Sequence, residues 1–284
     1  MAFTYPRAAA EVAVPDGSDL DVALARTTDL GIVAHQDDLE FLALAAIAAC
    51  LDDPDRWFTG VACTDGAGSA RSGPYAGCSD DEMVELRRAE QRAAADIGRY
   101  SAIFQLGHSS ASICGAGHET LVAELAEIVD ACRPVNVYTH NLADKHETHV
   151  AAGAATIEAL RSLPPDRRPW KVVGVEGWRS LDWLPDDDKV LLDVSGRDEL
   201  ASRLAAVFAS QIGGGKRYDL AEQGRRRANA TLLAPRAVDT AEEVTFALDL
   251  TPLVRNDSLD PVSYVDAAIA RFRHEVVTSL RRWF

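Results

Sequence analysis

LGIVA at 30–34, an amphipathic helical run over 39–51 and WFTGVACT at 57–64 read as strand, helix and strand, and a second helical run near 80–98 follows them. This βαβα opening sets the pattern for what comes after. AIFQL at 102–106, a helix about 118–132, VNVYTH at 135–140, a helix about 147–163 and KVVGVEG at 171–177 continue the alternation. Strands alternating with helices point to a mostly parallel sheet covered on both faces, a Rossmann-like α/β architecture. Beyond 177 the pattern loosens into VLLDVS as a strand, a helix over 198–210, a basic helix over 216–230, EVTFALDL as a strand and a last helix over 261–283. The expected organisation is one domain over 1–284: an irregular arm over 1–27, a core over 28–195 and a C-terminal elaboration over 196–284.

In sheets of this kind ligands bind beyond the carboxyl ends of the strands, which directs attention to 35–38, 64–78, 107–118 and 140–149. AHQDDLE at 34–40 follows a strand and opens a helix, crowding His35, Asp37 and Asp38 together. Buried carboxylates need compensation, and a cation supplies it, because imidazole and carboxylate oxygen are both good zinc ligands. Asp37 and Asp38 also have a plainer reading as helix N-caps. THNLADKHETHV at 139–150 holds His140, His146 and His149, three of the chain's 7 histidines. A spacing of three puts His146 and His149 on one face of a helix's first turn.

AHQDD followed about a hundred residues later by HETH resembles the PIG-L/LmbE-like zinc-dependent de-N-acetylases, whose usual patterns are AHPDDE and HPDH. TDG at 64–66, the RxxE from Arg87 to Glu90, LLDVS at 191–195 and SQ at 210–211 fall in the same order, so the resemblance covers most of the chain. It implies that His35, Asp38 and His149 bind zinc, or another divalent metal such as iron. It further implies that Asp37 is the general base and that His146 is an imidazole placed to stabilise an oxyanion. Asp65, Arg71 and Arg87 are the expected substrate contacts. Four positions depart from the family pattern: Gln36 stands for Pro, Leu39 for Glu, Thr148 for Asp and Phe208 for His. Three protein ligands leave a metal one open position, where a water and an amide carbonyl can be activated. The implied reaction is hydrolysis of an N-acetyl group from an amino sugar or sugar conjugate, releasing acetate. Hydrolysis of another amide or ester in secondary metabolism, and a non-catalytic binding protein on the same fold, are the alternatives. A nucleotide-dependent oxidoreductase fails, because GIVAHQDD offers no G-x-G-x-x-G.

Composition narrows the partners. A net charge of -15 disfavours nucleic acid and anionic membrane, which leaves a small N-acetylated molecule as substrate and a homo-oligomer as a compatible assembly. Cys50, Cys63, Cys78, Cys114 and Cys132 form no CxxC pair, which points to a reducing cytoplasm. The N-terminal stretch lacks an apolar signal-peptide core, and no segment sustains a membrane span. The Gly- and Ser-rich stretch 65–80 reads as a lid or as an ordinary surface loop. The basic run 216–230 reads as a salt-bridged face or subunit contact, GGG at 213–215 as a flexible turn, and His108 and His118 as surface residues.

Overall fold

A computed structural model describes residues 10–284. The strands are β1 (Glu11–Ala13), β2 (Asp29–Val33), β3 (Phe58–Thr64), β4 (Ala102–His108), β5 (Asn136–His140), β6 (Lys171–Val175), β7 (Lys189–Asp193) and β8 (Val244–Asp249). They form one sheet in the order β1-β4-β3-β2-β5-β6-β8-β7. The central five strands, β4-β3-β2-β5-β6, are parallel, while β1 and β8 pair antiparallel with β4 and β6, and β7 pairs antiparallel with β8. Every residue of β2 and β3 is buried, as parallel strands covered on both faces must be.

The helices are α1 (Leu20–Ala25), α2 (Asp38–Leu42), α3 (Leu44–Asp52), α4 (Asp80–Gly98), α5 (Ser110–Ile113), α6 (His118–Cys132), α7 (Glu147–Ser162), α8 (Asp198–Ala206), α9 (Ala209–Gly213), α10 (Tyr218–Leu232), α11 (Thr251–Arg255) and α12 (Pro261–Leu280). One core packs α1, α6, α7 and α11 against the sheet through residues such as Leu24, Leu125, Leu160 and Leu253. On the other face α2, α3, α4 and α8 pack through Leu39, Ile47, Ala94 and Leu204. Hydrophobic burial on both faces is what fixes the sheet as an interior layer.

Three sequence expectations are corrected. Within the expected irregular arm, residues 10–27 contain a strand and a helix: β1 caps the sheet edge beside β4, and α1 buries Ala23 and Leu24, while residues 1–9 lie outside the described residues. The helix expected over 39–51 is two helices separated at Ala43, whose φ of -103° leaves the helical region. The helix expected over 198–210 likewise breaks before Phe208, where φ -84° and ψ 51° end α8 and allow α9 to turn Ser210 inward.

Strand order decides where a ligand can enter. The chain leaves β2 towards β3 and leaves β5 towards β6, yet β2 and β5 are neighbours with Ile32 opposite Thr139. The two outgoing connections therefore diverge and open a crevice at the carboxyl ends of this strand pair, the switch point of a doubly wound sheet.

Candidate active site

Both histidine-bearing segments enter that crevice. His35 follows β2, His140 is the last residue of β5, and His149 lies in the first turn of α7. His35 Nδ1 is 3.2 Å from Asp38 Oδ2 and 3.2 Å from His149 Nε2, and His149 Nε2 is 3.4 Å from Asp38 Oδ2. Donors held about 2.0–2.2 Å from one tetrahedral cation stand about 3.4 Å apart, so this N2O triangle fits a divalent metal in both chemistry and spacing. The His35 backbone N–H donates to Asp38 Oδ2 at 2.8 Å, closing the turn that brings the two side chains together.

A carboxylate not singled out from the sequence lies behind the triangle. Asp144 Oδ2 is 3.4 Å from His149 Nδ1 and accepts the Trp178 N–H at 3.1 Å, while Oδ1 accepts the His146 N–H at 3.1 Å. A proton on Nδ1 facing Asp144 leaves the Nε2 lone pair directed at the triangle, the usual way a carboxylate orients a ligand histidine. Gly177 makes room for this contact: a Cβ there would stand 2.6 Å from Asp144 Oδ2. His140 packs against the same ring, stacked on His149 at 3.9 Å, and its Nε2 accepts the Ala34 N–H at 2.8 Å. His140 was visible in the sequence only as a member of the histidine cluster, and Asp144 only as an acid inside the same motif.

Asp37 is held in an unusual backbone conformation, φ 83° and ψ -32°. Such geometry costs on the order of 1–3 kcal/mol and persists where neighbours impose it. Its N–H donates to Gln91 Oε1 at 3.2 Å, and Arg87 Nη2 lies 3.2 Å from its Oδ2. Arg87, expected to face the substrate, is instead buried at 2% exposure, donating also to Gln36 O and lying 5.8 Å over the Phe208 ring. Glu90, its RxxE partner, accepts from the Ser210 N–H and hydroxyl, both at 2.7 Å, which ties α9 to α4.

The charges divide the two adjacent aspartates. Burial pushes Asp37 up to about 6 against the pull of Arg87, with Asp38 adding to the rise. Asp38 is buried too, but His149 and His140 hold it well below the usual carboxylate range. Burial lowers His140 to about 4, helped by His149, and it lowers His146, helped by His149 and His35. His149 itself is raised, because Asp38 and Asp144 outweigh its burial. His146 stacks on His149 at 4.5 Å and is half-buried, so it faces the crevice as a neutral imidazole with one N–H to donate.

The departures from the family pattern have local explanations. Leu39 is fully buried and packs onto β2 and β3, where a Cβ on Gly31 or Gly60 would stand 2.6 Å from its methyls. Gln36 donates to Thr64 O at 3.0 Å. Glu40 does not join the metal triangle: its Oε1 accepts from the Tyr100 hydroxyl at 2.7 Å and from Gln91 Nε2 at 2.8 Å. Asp65 follows β3 half-buried, with Oδ1 taking the Ala67 N–H at 3.0 Å. Arg71 is turned back within its loop onto Ala67 O at 2.8 Å and Asp80 at 2.6 Å. That loop is fastened to α9, with Ser72 Oγ donating to Gly213 O at 3.5 Å. His108, read as a surface residue, is buried with Nε2 2.6 Å from Glu124 Oε2, and His118 is half-buried beside Glu158 at 3.2 Å.

Residues 30–160 match the sequence profile of PIG-L, the GlcNAc-PI de-N-acetylases. This segment belongs to the PIG-L family. It runs from β2 into α7 and so carries every residue of the candidate metal triangle. No curated protein matches the chain by sequence. Among solved structures, the N,N'-diacetylchitobiose deacetylase of Pyrococcus horikoshii aligns with TM-score 0.60 at 17% identity, over 78% of this chain and 83% of that one. The A40926 pseudoaglycone deacetylase aligns with TM-score 0.54 at 22% identity, over 79% and 97% of the two chains. The 4-carboxy-2-hydroxymuconate hydratase of Pseudomonas putida aligns with TM-score 0.58 at 18% identity, over 79% and 96%. At these identities the likeness is one of fold.

Proposed function

We propose that this protein is a zinc-dependent amide hydrolase that removes an N-acetyl group from an amino sugar or sugar conjugate. The observation that carries the reading is the His35, Asp38 and His149 triangle with Asp37 beside it, inside a segment of a de-N-acetylase family. A divalent cation held there supplies Lewis-acid activation of the attacking water and of the amide carbonyl. Asp37, kept off the triangle by its backbone twist and aligned by Arg87, takes the proton from the water and returns it to the departing amine. His146 donates its N–H to the oxyanion that forms as the carbonyl is attacked. Asp144 keeps His149 in one tautomer throughout. The C–N bond breaks, acetate leaves and the free amine remains.

A sugar-like substrate is supported by the wall beside the triangle. Trp178 stands 6.2 Å from His146 and meets Tyr218 edge-on at 5.9 Å, and Tyr218 in turn meets Phe41 at 6.0 Å. Such rings offer apolar faces to the C–H side of a pyranose while Asp65 accepts from hydroxyls at the rim. A reducing cytoplasmic setting is supported by the five unpaired cysteines. Among the described residues, no helix is long and apolar enough to cross a membrane.

The test is acetate release from a panel of N-acetylated amino sugars and their conjugates by zinc-loaded protein, with and without chelator. Release abolished by chelator and restored by zinc is the expected result. Release untouched by chelator, with metal verified absent, would rule out the metal mechanism.

A further inference from the structure

The helix α12 carries Val262, Val265, Ile269, Phe272, Val276 and Leu280, with steps of three and four residues that place them in one stripe, and Trp283 continues it. Only Ala268 of this helix is buried. Up to Phe272 it is attached to the rest of the chain: the Tyr264 hydroxyl donates to Asp249 O at 2.7 Å, Arg271 pairs with Asp188 at 2.7 Å, and Phe272 meets Trp183 at 6.5 Å. Past that point the helix leaves the body with its apolar side bare, Leu280 being 51% and Trp283 80% exposed. A projecting helical segment of about ten residues is marginal in water without a packing partner. An apolar patch of this size on a chain otherwise rich in charge marks an interface.

We propose that α12 is a dimerisation helix that packs antiparallel against α12 of a second copy. Asp260 and Asp266 stand near its start, and Arg273, Arg281 and Arg282 towards its end. Parallel pairing superimposes like charges, whereas antiparallel pairing sets acids against arginines. Asp266 and Arg273 are seven residues apart on the same flank of the stripe. A two-fold axis passing near Ile269 therefore faces each Asp266 with the Arg273 of the other copy, a self-complementary arrangement. The bare apolar side chains amount to on the order of 800 Å² per copy, counting the two terminal aromatics at roughly 200 Å² each, and a standard stable interface needs about that area per partner. A lipid surface fits less well: the chain carries a net charge of -15, and anionic headgroups repel it.

Sedimentation equilibrium of the full chain across a dilution series should give twice the 30.6 kDa chain mass. Val276→Glu combined with Leu280→Glu should weaken the dimer by about a hundredfold or more, because both charges would be buried at the contact. Far-UV circular dichroism and metal affinity check that this variant is folded. Asp266→Arg and Arg273→Asp should each weaken the dimer, and the double exchange should restore it, which tests the antiparallel register without touching the stripe. A monomeric wild type, or a dimer indifferent to the glutamates, overturns the proposal, and a double exchange that fails to restore dimerisation overturns the antiparallel pairing. Monomeric protein that floats with phosphatidylserine-containing vesicles, and stops doing so with the two glutamates, also overturns it and assigns the stripe to lipid.

Discussion

Glu40→Gln is the perturbation whose outcome follows most directly from the structure. Glu40 is 2% exposed, Tyr100 and Gln91 both donate to its Oε1, and its Oε2 meets no donor among the described residues, so the ionised form has little to replace its lost water. Burial accordingly raises its pKa from 4.5 to about 8. Because the folded state holds this proton more tightly than the unfolded chain does, the contribution to stability is complete below pH 4.5. It is lost as pH rises through 8. The rise converts to roughly 5 kcal/mol between those limits. Glutamine keeps the acceptor for Tyr100 and Gln91 and cannot ionise, so the variant should escape this loss. Urea unfolding of metal-free wild type and variant, in steps from pH 5 to pH 9, reads the difference directly. The two should be within about 1 kcal/mol of each other at pH 5, with the variant gaining by several kcal/mol at pH 9. A stability difference that stays constant over this range would refute the argument, since only the titration of Glu40 separates the two proteins.

Asp37→Asn should retain metal and lose about a hundredfold or more in turnover, measured as acetate release alongside metal content; loss of metal would make Asp37 a ligand and not the base. Arg87→Gln removes the cation that opposes the raised pKa of Asp37, so the acid limb of the kcat profile should move to higher pH, and an unmoved limb would separate Arg87 from the base. Gly177→Ala should weaken metal binding by about ten- to a hundredfold in a chelator competition, because its Cβ would stand 2.6 Å from Asp144 Oδ2 and displace the group that orients His149. His146→Ala should leave metal affinity intact while kcat falls by about a hundred- to a thousandfold, and a change confined to KM would place His146 in substrate binding only.

The parts of the molecule legible in the sequence are those fixed by neighbours along the chain. The periodicity of 30–177 gives the strands and helices within a few residues, because an apolar run and its breakers are local. The convergence of His35, Asp38 and His149 is legible for the same reason: His35 and Asp38 share one turn, and His149 follows the next strand of the crevice. What was not legible depends on distant segments. The strand at 11–13 has no strong pattern of its own and exists because β4 offers an open edge. Arg87, expected at the substrate, is buried beneath the Phe208 ring and paired with Asp37, contacts made by segments far from it in sequence.

Thr148 shows how far a motif comparison reaches. Read against HPDH, its lack of a carboxylate leaves the ligand histidine without an acidic neighbour in the motif. The structure supplies one from Asp144, five residues before His149, held in place by the Trp178 N–H from the connection after β6. Position in space is what the chemistry requires, because a carboxylate orients a ligand imidazole only through the ring N–H that faces away from the metal, here Nδ1. The charge behind His149 is therefore present although its residue number differs, and its dependence on Gly177 ties the geometry of His149 to the β6–β7 connection, which lies outside the segment that matches the family profile.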